Sequence, residues 1–222
     1  MFKRLLLFLV IVLVIAPIAG AEPLAPNDVK ALIERIRQKR AAAPQVQAEF
    51  QEEKTMRMMN KPVVSSGKVW FQAPNKFRRE VRGNAPSTTV SDGQQLWIYY
   101  PKFQSAEQYS LGKRGPLDAG IAAITASLNL EGVENTYSIS GSREGNAHVL
   151  ELLPKSPSVK RMLQRFVIQF NEALQVERTE MLQPNGDRIV TTYSNESRAA
   201  IDPGTFNFTP PAGTNVTTPL GR

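Results

Sequence analysis

The chain has 222 residues, 41% of them apolar, with no cysteine, one histidine and 27 basic against 20 acidic side chains, a net charge of +7. Disulfides, thiolate metal sites and lipid attachment to an N-terminal cysteine are therefore excluded. The apolar content is enough for one core of ordinary domain size. The mild basic excess suits anionic headgroups or an acidic partner, and equally a plain soluble basic protein.

The first residues carry Lys3 and Arg4, then an apolar stretch over 5–18, then Ala19-Gly20-Ala21. This order reads as a signal peptide cut after Ala21, because the apolar run, broken by Pro17, falls short of the roughly 20 residues a spanning helix needs. Residues 1–21 are expected to be the signal peptide and 22–222 a single domain. Removing Lys3 and Arg4 leaves 25 basic residues against 20 acidic ones, or +5. An export signal and the absence of a recognisable nucleic-acid-binding motif disfavour nucleic acid as a partner.

Asn27 is placed to cap a helix in which Val29, Leu32, Ile33 and Ile36 fall at i, i+3, i+4 and i+7. Lys30, Glu34, Arg35, Arg37, Lys39 and Arg40 occupy its other faces and Pro44 marks its end, so an amphipathic helix of about four turns must lie on a second apolar surface. From residue 46 the pattern changes to short segments rich in Val, Ile, Thr and aromatics, separated by Gly, Pro, Asn and Asp. Strands are predicted at 46–56, 66–72, 76–82, 87–90, 95–100, 105–109, 136–140, 148–154, 162–171, 174–182, 188–195 and 206–209. Asp92-Gly93 and Asn185-Gly186 supply the positive φ angles that tight hairpins need. A second helix is predicted over 118–130, with Ile121, Ile124, Thr125 and Leu128 on one face and Gly132 as a stop. Many hairpins and two one-sided helices predict a mainly β, α+β fold: an antiparallel sheet curled over helices, each burying the other's apolar face.

Parity along the strands groups side chains by face. Phe77 and Val81 share a face with Arg79, whereas Arg78, Glu80 and Arg82 share the other. Leu96, Ile98 and Tyr100 oppose Trp97 and Tyr99, so that strand is covered on both sides or lines a cavity. Phe166, Ile168 and Phe170 alternate onto one face, as in a filled core or an apolar pocket wall. Met56, Met58 and Met59 form a soft apolar cluster beside a turn at Asn60-Lys61-Pro62, either an entry loop for a ligand or a hairpin end with partly buried methionines. Asp92 reads as a turn residue rather than a catalytic carboxylate. The one histidine, His148, sits in a strand-like run, and no phosphate loop, metal-spaced cluster or triad accompanies it. No catalytic residue, metal site or cofactor is predicted.

Four stretches together resemble the LolA family of periplasmic outer-membrane lipoprotein carriers. Ala48-Glu49-Phe50-Gln51 is similar to an early strand of that family; Gly67-Lys68-Val69-Trp70-Phe71-Gln72-Ala73-Pro74-Asn75-Lys76-Phe77-Arg78 to its Gly-x-hydrophobic-Trp segment; Ser91-Asp92-Gly93 through Leu96-Trp97-Ile98-Tyr99-Tyr100-Pro101 to its Ser-Asp-Gly hairpin; and Phe206-Asn207-Phe208-Thr209-Pro210-Pro211-Ala212-Gly213 to its ending. Two positions depart from the family pattern. Ala73 stands where an arginine often ties the lid shut, and Arg79 where a Trp follows Phe-Arg, so that a charge must reach water or a partner.

The resemblance implies an unclosed antiparallel half-barrel with an α-helical lid, and an apolar space between them that holds acyl chains. Each exposed methylene costs about 0.8 kcal/mol in water, on the order of ten kcal/mol for a long chain, so a carrier must cover it. No covalent chemistry is needed for that, and the chain is read as a non-enzymatic chaperone. The candidate cavity and lid residues are Phe50, Trp70, Phe77, Trp97, Tyr99 and Phe166 from the sheet, with Leu32, Ile36, Ile121, Ile124 and Leu128 from the helices. The implied partners are lipoprotein acyl chains, an inner-membrane lipoprotein-releasing ABC transporter complex and an outer-membrane receptor, met by a monomer in the periplasm. The competing reading is a sensor or accessory protein of the same fold that detects lipid or lipoprotein without transferring it.

Overall fold

The computed structural model describes residues 20–111, 130 and 132–219. Helix α1 spans Pro26–Ala42 and buries Val29, Leu32, Ile33 and Ile36, the stripe set by their spacing. Its start differs from the expectation: Ala25 precedes the helix without a side-chain cap, Pro26 occupies the first turn, and Asn27 lies inside. Proline fits there because its fixed φ is already helical and its missing N–H has no intrahelical acceptor to lose.

The strands are β1 (Glu22–Pro23), β2 (Gln45–Thr55), β3 (Val63–Gln72), β4 (Lys76–Arg82), β5 (Ser87–Ser91), β6 (Gln95–Tyr100), β7 (Ser105–Ser110), β8 (Tyr137–Glu144), β9 (Ala147–Pro154), β10 (Arg165–Phe170), β11 (Val176–Leu182), β12 (Arg188–Ser197) and β13 (Asn215–Thr217). They form one unclosed sheet in the order β1-β8-β9-β10-β11-β12-β2-β3-β4-β5-β6-β7-β13. Every ladder is antiparallel except β7–β13, which is parallel. The predicted mainly β, open half-barrel is the observed architecture.

Both marked turns close hairpins. Gly93 has φ 94° and Gly186 φ 87°; Asp92 Oδ1 accepts from the amides of Gln94 and Gln95, each at 2.8 Å, and Asn185 Oδ1 from that of Asp187 at 3.0 Å. Two elements depart from the predicted pattern. Residues 206–209 are not a strand: Asp202 caps the 3-10 turn Pro203–Phe206 through the Gly204 amide, and Pro210 and Pro211 beyond it have no amide to give a ladder. The strand predicted from 162 starts at Arg165, because Ser156 caps a helical turn at Pro157–Lys160 ahead of it. The predicted helix over 118–130 lies outside the described residues except for Leu130, which is fully buried.

Helix α1 packs on the face formed by β8 to β11. Its four buried residues join Leu150, Leu152, Phe166, Ile168 and Phe170 in the principal core. A smaller core on the same face of β3, β4 and β6 contains Phe71, Phe77 and Leu96. We call this the inner face.

Candidate functional site

The registers fix which residues share the inner face. Phe50 is opposite Gly67, Ala48 opposite Val69 and Val46 opposite Phe71; Val69 is opposite Arg79 and Phe71 opposite Phe77; Phe50 is opposite Tyr193 on the other side. Where the last turn of α1 passes over these strands, a cavity of about 100 Å³ remains. Its walls are Val46 and Ala48 of β2, Val69 and Phe71 of β3, Val176 and Thr179 of β11 and Tyr193 of β12, with Ala41, Ala43, Pro44 and Ala73 closing the end. The sheet supplies mainly small or β-branched side chains here, so the two layers meet without filling the space between them.

The mouth is charged. Arg37, Arg40, Glu196 and Arg198 border the apolar walls. Arg198 donates from Nη1 to the Ala43 carbonyl at 3.1 Å and from Nε to Glu196 at 3.1 Å, joining the end of β12 to the end of α1. Arg37 donates to the Leu130 carbonyl at 2.6 and 3.1 Å and to Glu134 at 2.7 Å, while Lys39 donates to the Ala173 carbonyl. Burial, reinforced by repulsion from Arg198 and opposed by Glu196, brings the Arg40 pKa down to about 10, so it stays cationic at neutral pH. Its guanidinium lies 5.7 Å from the centre of the Phe170 ring. Burial likewise raises the Tyr193 phenol above its usual value.

The eleven candidates fall into three sets. Leu32, Ile36, Phe50, Phe77 and Phe166 are buried and point to the inner face, where Leu32, Ile36 and Phe166 belong to the principal core and Phe77 to the smaller one. They support the cavity without lining it. Trp70, Trp97 and Tyr99 lie on the opposite face, a correction to the expectation that they share one space with the others. Strand parity turns them away, since their neighbours Phe71 and Leu96 point inward. Phe208 covers two of them, with ring centroids 5.8 Å from Trp97 and 5.7 Å from Tyr99, and Lys68 lies 5.0 Å from the Trp70 ring. Ile121, Ile124 and Leu128 lie outside the described residues.

Sequence reasoning missed the cavity lining: the large Phe71 and Tyr193, and small residues such as Ala48, Val69 and Val176. Their one signal was parity with Phe50 and Phe71, which becomes useful only once the inner face is known. Arg79, the charge that must reach water or a partner, finds Glu52 at 2.6 Å.

Residues 41–209 match the family model described as outer membrane lipoprotein carrier protein LolA. The chain belongs to the LolA family. Relatives in that family include the outer-membrane lipoprotein carrier protein of Dechloromonas aromatica (strain RCB), 30% identical over 173 residues, which are 77% of this chain and 80% of the relative. That of Pectobacterium carotovorum subsp. carotovorum (strain PC1) is 27% identical over 150 residues, 68% of this chain and 70% of the relative. Among solved structures, an uncharacterized conserved protein from Thermus thermophilus matches with a TM-score of 0.52 at 11% identity, over 86% of this chain and 99% of that one, a likeness of fold alone. LolA-family membership makes lipoprotein carriage the family-level function.

Proposed function

We propose that this chain binds the acyl chains of lipoproteins between α1 and the inner face and carries lipoproteins from the inner to the outer membrane. The observation that carries this reading is the apolar cavity between the last turn of α1 and β2, β3, β11 and β12. At about 100 Å³ it is smaller than the roughly 300–1,000 Å³ of ordinary ligand pockets. Occupation by an alkyl chain therefore requires the end of α1 to move away from the sheet, breaking the bonds from Arg198 to Ala43 and from Arg37 to Leu130. The hydrocarbon itself then fills the gap.

In this reading residues 1–21 direct export and are removed, residues 22–222 act as one monomeric domain in the periplasm, cargo comes from an inner-membrane releasing transporter and passes to an outer-membrane receptor, and no bond is made or broken. The deciding experiment is isolation of the exported protein, mass spectrometry of the lipid or lipoprotein that accompanies it, and an assay of lipoprotein release from inner-membrane vesicles. Bound acylated protein and stimulated release are expected. Bound lipid without release would replace the carrier with a lipid-sensing protein of the same fold.

A further inference from the structure

The end of the sheet opposite the cavity has a composition that the carrier reading does not use. β3 runs on beyond β4 there, the β3–β4 ladder stopping at Ser66 and Arg82, while β2 is paired with β12 to its last residue, Thr55 opposite Arg188, so the segment that joins β2 to β3 lies beyond the last pair of either ladder. Residues 56–62 therefore form a projecting tip, closed by the Met59 amide on the Met56 carbonyl at 2.9 Å. On and beside it Met58 is 97% exposed, Val64 58%, Met59 49% and Val63 42%. Val63 and Val64 point to opposite faces, so neither side of the hairpin can be covered by the sheet that carries it. At the same end, in the turn between β6 and β7, Phe103 is 78% exposed. Isolated exposed apolar side chains are ordinary; several gathered on one projecting rim mark an interaction surface.

The charges around the tip say what it meets. Lys54, Arg57 and Lys61 interleave with the apolar residues, and no acidic side chain occurs from 54 to 66. None of the three appears in an ion pair among the described residues. Asp187 accepts the Arg57 backbone amide at 3.1 Å at the foot of the tip. Flexible methionines between lysines and arginines match a bilayer interface, where thioethers enter the acyl boundary and cations rest among phosphates.

We propose that the β2–β3 tip is a membrane-docking element that inserts Met58, Met59, Val63 and Val64 into the surface of an anionic bilayer, with Lys54, Arg57 and Lys61 on the lipid phosphates. The nine residue steps from Val46 at the cavity to Thr55 at the base of the tip span roughly 30 Å of extended strand. Docking therefore leaves the end of α1 facing away from the membrane it touches, free to meet cargo or a partner.

The test is flotation of protein comprising residues 22–222, which contains every strand and helix described, with vesicles of phosphatidylcholine and phosphatidylglycerol in equal parts or of phosphatidylcholine alone. Binding to the anionic vesicles is expected, with preference over the neutral ones and loss at high salt. Arg57→Ser with Lys61→Ser should weaken it about 30-fold, at about 1 kcal/mol per basic residue. Met58→Asp with Met59→Asp should abolish it while leaving the circular dichroism and melting temperature unchanged. A Met58→Trp reporter should shift its emission to the blue on anionic vesicles. Equal binding to both vesicle types, no binding to either, or a dimer that the Met58→Asp, Met59→Asp change dissociates would overturn the proposal.

Discussion

Arg79 and Glu52 join hands across an intervening strand: Arg79 on β4 donates to Glu52 on β2 at 2.6 Å, over β3. The reach is open because Gly67 of β3 lies between them. A Cβ there would meet Glu80 O at 1.8 Å and the Phe50 ring at 2.7 Å, and the Arg79 guanidinium rests 4.3 Å from the centre of that ring. Thr191 adds a second contact to Glu52 at 3.2 Å. A charge on the inner face is thus absorbed by a carboxylate, a ring and a glycine.

Removing either partner leaves the other half-buried and unpaired. Glu52→Gln and Arg79→Met should each lower unfolding free energy by about 1–3 kcal/mol, and the double variant should lose less than the sum. Urea titration of the four proteins measures the coupling; strict additivity would show that the pair contributes nothing as a pair.

Arg198 is the main tie between the end of β12 and the end of α1, through Ala43 at 3.1 Å. Arg198→Ala should cost about 1 kcal/mol of stability, speed hydrogen exchange at the end of α1 and raise the uptake rate of an apolar fluorophore. Exchange mass spectrometry and stopped-flow fluorescence read the two effects. Unchanged uptake would place entry elsewhere.

Phe208 lies on Trp97 and Tyr99 at 5.8 and 5.7 Å. Phe208→Ser should destabilise the fold by about 1–3 kcal/mol and shift tryptophan emission to the red, with fluorophore uptake unchanged after correction for the folded fraction. A specific loss of uptake would return these aromatics to the binding space.

Glu180 receives Arg188 at 2.5 Å and Arg165 and Arg178 at 3.1 Å each. The Arg188 hydrogen bond, opposed by burial and aided by the charges of Arg188 and Arg178, holds its pKa below the ordinary glutamate value. A carboxylate depressed in the folded state contributes stability above its unfolded pKa and loses it as pH falls through the lower folded value. Glu180→Gln should therefore be less stable than the natural chain at neutral pH, by about 1–3 kcal/mol, with the two curves converging below the ordinary glutamate range. Thermal melts across pH 3–7 measure the gap; a constant gap would mean that the carboxylate charge plays no part.

The sequence by itself determined α1, most of the strands and two of the hairpin turns. Four apolar residues at helical spacing made α1 one-sided, Asp92-Gly93 and Asn185-Gly186 set two hairpins, and period-two runs set the strands, because these signals depend on residues near in the chain and on backbone preferences that no partner is needed to express. Parity separated Leu96 from Trp97 and Phe77 from Arg78. The tertiary structure alone decided which side of that division faces α1, since flipping a whole sheet leaves every alternation intact. It turned Trp70, Trp97 and Tyr99 outward, gave Trp97 and Tyr99 a cover in Phe208, and left much of the cavity wall to small residues such as Ala48, Val69 and Val176. Large side chains announce themselves by burying more area and so fill the cores; an unfilled space is made where side chains are small, and smallness in a strand carries no signal until the layer above it is in place.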